Sequence, residues 1–88
     1  MREWRGTVNG NAVVVKMRKP REGGRGICRK RGGKFYIDVK PGLPPTERVE
    51  VLVHELLHAA TWGISEEYVE WTARDIAAAL SALGEIST

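Results

Sequence analysis

The chain has 88 residues, of which 42% are hydrophobic and 28% charged, with a net charge of +3 and one cysteine, Cys28. That is the composition of a single globular domain near the small end of what folds alone, where a bound metal or a partner subunit would add stability. It excludes an intrachain disulfide, offers no apolar run long enough to span a bilayer and no signal-peptide core in residues 1–15, so a cytoplasmic location is expected.

Residues 1–40 read as a β-rich half. Trp4 to Val8 is a first strand, and Asn9-Gly10-Asn11 is its turn signal. Ala12 to Met17 (AVVVKM) is a β-branched run of strand length. Residues 18–26 (RKPREGGRG) form a loop, as Pro20 and the Gly23-Gly24 pair indicate. Ile27 to Lys30 suits a short strand, with Arg31-Gly32-Gly33-Lys34 as a tight hairpin connection. Phe35 to Val39 (FYIDV) is the clearest strand, since Phe35, Ile37 and Val39 alternate with Tyr36 and Asp38.

Residues 41–88 read as two helices. The prolines of PGLPP stop the last strand and prepare a helix from about Thr46 to Ala60 or Thr61, with Glu47 and Glu50 favouring its N-terminal dipole. Gly63 ends it. Ser65 caps a second helix with Glu66 and Glu67 in its first turn, and Val69, Ala73, Ile76, Ala77, Leu80 and Leu83 recur on one face until Gly84 closes it. The expected fold class is therefore α+β, one domain over residues 1–88, with a small sheet packed on the first helix.

The chemistry concentrates in VLVHELLHAATWGISEE, residues 51–67. His54 and His58, the only histidines, stand four apart, so on a helix they lie one turn apart on one face and can chelate one ion. Glu55 sits about 100° further round, where it reaches a water rather than the ion. This division of labour suits a zinc hydrolase: two imidazoles hold Zn²⁺, the metal acidifies a water, and the carboxylate takes its proton as that water attacks a peptide carbonyl. Val49, Leu52, Val53, Leu56, Ala59 and Ala60 fall opposite the histidine pair and are expected to pack on the sheet. A pair of structural histidines with local hydrogen bonds is the alternative.

A catalytic zinc site needs a third protein ligand. With no third histidine, the acids after the first helix are the source: Glu66, Glu67 or Glu70. Relative to the apolar stripe of the second helix, Glu66 lies about 50° away, Glu70 about 90° and Glu67 about 150°. Glu66 ranks first, because a ligand must point back toward the first helix. Cys28 is read as a small apolar residue, and a thiolate reaching the metal as the lesser alternative.

HELLHAATWGISEEYVEWTARDIAAAL, together with FYIDVKPGLPPTERVEVLVHELLHA before it, resembles the C-terminal part of small phage- and bacterium-associated HExxH metallopeptidase-like proteins. The resemblance covers roughly residues 34–83. It implies a minimal zincin-like fold of gluzincin type, zinc held by His54, His58 and an acidic residue of the second helix, Glu55 as the base, and a peptide or protein substrate. In zincin-like folds an edge strand beside the active helix pairs with the extended substrate, and Phe35 to Val39 is the candidate for that strand; an interior strand without substrate contact is the alternative.

Charge divides the chain. Residues 1–40 hold twelve Lys or Arg against Glu3, Glu22 and Asp38, a net of +9, whereas residues 41–88 hold Arg48 and Arg74 against eight acids, a net of −6. The two halves either attract one another within the fold or leave a basic face for a polyanion. The simpler reading is a solvated hairpin that balances the acidic helices; the competing one is a zinc-stabilised binding module whose basic half contacts nucleic acid or an acidic protein. Trp62, Tyr68 and Trp71 are expected as core or rim packing between the helices, with Trp62 or Tyr68 alternatively lining the metal cleft, where the Tyr68 hydroxyl would donate to a tetrahedral intermediate.

Overall fold

The computed structural model describes residues 2–86. Four strands, β1 (Glu3–Val8), β2 (Asn11–Lys16), β3 (Gly26–Arg31) and β4 (Lys34–Val39), precede two helices, α1 (Pro45–Ala60) and α2 (Glu66–Ala82). The class is α+β, as the sequence pattern indicates. No helix is long and apolar enough to cross a membrane.

Both hairpins are made by the turn residues that demand them. Val8 pairs with Asn11 across Asn9 and Gly10, and Arg31 with Lys34 across Gly32 and Gly33. All four turn residues have positive φ, the condition for a two-residue turn whose twist matches its strands. The spatial order is β1-β2-β4-β3, with β2 and β4 parallel and the other pairs antiparallel.

This order decides between the two readings of Phe35–Val39 in favour of the interior strand. Phe35–Val39 is bonded on both sides, by β2 and β3, so it is an interior strand and has no edge to offer a peptide. The edge beside α1 belongs to β3. Alternation alone could not show this, because a strand's neighbours are set by chain segments remote in sequence.

Val13, Val15, Phe35, Ile37 and Val39 turn to one face and form the core with Val51 and Ala59 of α1. On α1 the stripe buried against the sheet is Val51, Glu55 and Ala59. Leu52 and Leu56 flank the core as expected, but Val49, Val53 and Ala60 do not join it, so the sheet-facing direction is rotated toward the glutamate. The cause is the second helix. α2 presents Val69, Ala73 and Ala77 to α1, so α1 divides its apolar surface between two neighbours.

The ends of α1 are held from outside it. Pro45 occupies the first turn, where no amide donor is needed. At the other end Asn11 Nδ2 donates to the Ala59 carbonyl at 2.8 Å, and Asn9 Nδ2 to the Ala60 carbonyl at 3.0 Å. Two residues of the first hairpin thus satisfy carbonyls that the helix leaves orphaned. α2 begins on Ser65, whose Oγ accepts from the Tyr68 amide, and ends at Gly84 with the paired bonds of a Schellman motif, Glu85 to Leu80 and Gly84 to Ser81. Asn11→Ala should lower stability by about 1 kcal/mol, the worth of a net hydrogen bond, seen as a lower urea midpoint at unchanged m value.

Candidate metal centre

Residues 54 and 58 stand one turn apart on α1, and their rings meet edge to face with centroids 5.0 Å apart. The short turn through Gly63 (φ +96°) brings the start of α2 back over them. Glu66, in the first turn of α2, places one carboxylate oxygen 2.8 Å from His54 Nε2 and the other 3.0 Å from His58 Nε2. One donor atom from each of the three residues lies within 4.8 Å of the others, and among the described residues this is the one such group of three or more. Glu67 and Glu70 are exposed and outside it. The donors, two imidazole nitrogens and one carboxylate oxygen, are those a divalent transition ion takes.

Glu55 is different in kind. It is only 8% exposed, lodged between α1 and the start of β3. Burial raises its carboxyl above the ordinary carboxylate value; His54 opposes that shift and Glu66 adds to it. No described side chain hydrogen-bonds to its carboxylate, which leaves both oxygens to a solvent or substrate proton.

Gly26 makes this placement possible. A methyl group on it would stand 2.6 Å from Val51 Cγ1 and 3.1 Å from Glu55 Oε2, so only a bare α-carbon lets β3 lie this close to the helix. Its part was illegible in the sequence, where it is one glycine of a loop-like GGRG run. The same holds for Asn9 and Asn11, which looked like turn formers alone.

The cleft over the site has a volume of about 330 Å³ and is bounded by Gly26, Ile27 and Cys28 of β3, by the two histidines and glutamates, and by Trp62. Cys28 faces it as a thiol, pushed up to about 12 by burial and then by Glu55, and stands outside the ligand group. Trp62 packs on Phe35 at 5.5 Å and forms one wall. Trp62, Tyr68 and Trp71 are each more than half exposed, so none is core; Trp71 instead stacks with the Arg74 guanidinium, and Tyr68 lies outside the cleft lining. The hydroxyl role considered for Tyr68 therefore has no support.

The chain matches no protein-family model, no curated protein and no solved structure. The chemistry of the site rests on its own residues.

Gly26→Ala should cost about 1–3 kcal/mol through overpacking, measured by chemical denaturation. A second prediction follows from Glu55. A carboxyl whose folded-state value is raised supports the fold while protonated, and that support is lost as pH rises through the folded value. Glu55→Gln should therefore raise the melting temperature of metal-free protein at pH 7.5 and leave it unchanged near pH 4, as thermal melts at both pH values would register.

Proposed function

We propose that the protein is a zinc-dependent hydrolase of the metallopeptidase type with a minimal zincin-like fold, in which His54, His58 and Glu66 hold the ion and Glu55 is the general base. The observation that carries this reading is the convergence of both Nε2 atoms on one carboxylate, beside a second, buried carboxylate with no partner. Structural histidines would account for the hydrogen bonds to Glu66. They would not account for Glu55, a glutamate only 8% exposed that lines the cleft beside them with no side-chain hydrogen bond among the described residues.

A divalent ion in a His/His/carboxylate set, when bound, supplies a Lewis acid that polarises a carbonyl and lowers the pKa of water. Glu55 does the proton work. Its carboxylate accepts the proton of the attacking water and returns it to the departing amine, and burial brings its basicity nearer to neutral pH. The free edge of β3, with Gly26, Ile27 and Cys28 along the cleft, takes over the role first given to β4: an extended peptide can bond to that edge by β-augmentation. Trp62, seated on the buried Phe35 ring, offers an apolar wall for a substrate side chain.

Metal analysis of protein purified without added metal tests the ligand set, and cleavage of a fluorescence-quenched peptide library tests the reaction. Wild type should carry one equivalent of zinc, and Glu66→Ala should lose it while Glu67→Ala keeps it. Glu55→Gln should retain zinc and lose at least about 100-fold in kcat, the usual worth of a general base. Failure to bind zinc even when it is supplied would reduce the motif to a structural histidine pair, and undiminished cleavage by Glu55→Gln would overturn the role of Glu55 as base.

A further inference from the structure

The two charged halves of the chain hardly pair with each other. Among the described residues one ion pair joins them, Arg25 Nη1 to Glu47 Oε1 at 2.8 Å. The other pairs of the basic half stay within it: Arg5 and Lys16 with Glu3, Arg18 and Arg29 with Asp38, Arg29 with Glu22. Direct ion pairs therefore spend little of the positive charge on the acidic helices, and that charge has a definite place.

Side chains alternate across the sheet, and both helices cover only the face bearing Val13, Val15, Phe35, Ile37 and Val39. The opposite face carries Lys16, Arg29, Arg31, Lys34 and, in mid-sheet, Tyr36, with Arg29 registered beside Tyr36 and Arg31 opposite Lys34. The loop between β2 and β3 walls this face. Its Pro20 is fully buried and anchors it, so Arg18 and Arg21 stand in fixed relation to the strands. Sheet and loop together enclose a groove of about 660 Å³.

Beneath the groove Asp38 is only 3% exposed; it accepts from Arg18 Nε at 2.9 Å and from Arg29 Nη1 at 3.3 Å. Arg29 is held by Glu22, on the groove's wall, as well as by Asp38, so these two guanidinium groups are paired within the protein and the charge left for an anionic ligand is that of the unpaired cations. Arg21, Arg31 and Lys34 have no ion pair among the described residues, and all three are exposed.

We propose that this helix-free face binds single-stranded nucleic acid, with Arg21, Arg31 and Lys34 on its phosphates and the Tyr36 ring against a base. The groove suits a strand rather than a plane. A lipid surface would in addition need apolar side chains that enter it, and the one aromatic on this face among the described residues, Tyr36, is half-buried. Neutralised phosphates supply the affinity and one stacked base a modest addition. The metal cleft lies on the other side of the sheet, so this site is independent of the hydrolytic reading.

Fluorescence anisotropy with labelled 20-nucleotide RNA and DNA of one mixed sequence, the corresponding duplex and phosphatidylserine vesicles tests the proposal. Three phosphate contacts at a salt slope of about 0.7 each predict a roughly 20-fold loss of single-strand affinity between 50 and 200 mM salt. Charge reversal by Arg31→Glu with Lys34→Glu at the turn, or separately by Arg21→Glu in the loop, should weaken binding at least about tenfold with unchanged circular dichroism. Tyr36→Ala should weaken it at least about fivefold. The RNA and DNA arms tell which strand is preferred. No binding at 50 mM salt, binding indifferent to salt or to both charge reversals, or tighter binding to the duplex or the vesicles would overturn it.

Discussion

A strand lies against a helix at Gly26 more closely than any other residue would allow, and the arrangement of the site depends on that approach. With Val51 and Glu55 pressed toward the backbone of β3, the second turn of α1 cannot rotate without driving a side chain into the sheet. The rotation of α1 about its axis is thereby set. His54 and His58, on the adjoining face, are turned to the open end of the cleft, where α2 supplies Glu66. One contact thus separates a buried carboxylate from a pair of imidazoles about one-fifth exposed, although Glu55 directly follows His54 in the chain.

Such a small fold recruits long-range contacts to hold α1. α1 takes its packing from the sheet on one side and α2 on another, and its last carbonyls bond to asparagines some fifty residues earlier. Glu55 shares its stripe with the buried Val51 and Ala59, whose packing on the sheet offsets the cost of desolvating it. Stability and site geometry come from the same contacts, as is general for functional groups placed on rigid elements rather than loops.

Charge is sorted by layer. The sheet and its loop carry the cations and the helices most of the acids, with one ion pair between them. Because exposed pairs contribute little to stability, this separation does not destabilise the fold greatly, and it leaves a field of opposite sign on the two sides of the molecule. The face with the His54, His58 and Glu66 group and the face with the arginine groove are consequently distinct surfaces of one thin sheet.

Every strand and both helices were legible in the sequence to within a residue or two, because their signals are local. Alternation in FYIDV, the Asn9-Gly10 and Gly32-Gly33 turns, the Ser65 cap and the terminal Gly84 each act within a few residues. His54, Glu55 and His58 were legible for the same reason, being one turn of helix, and the angular ranking of the acids placed Glu66 first because two helices joined by a short turn meet in few ways. What the sequence could not determine was pairing between remote segments. That β4 is interior and β3 the edge, that α1 turns Glu55 rather than Leu52 most directly to the sheet, that Asn9 and Asn11 hold the helix end, and that direct ion pairs spend little of the basic half's charge on the helices were decided by tertiary structure alone. Each depends on which surfaces meet once the whole chain has packed, and no window of neighbouring residues contains that information.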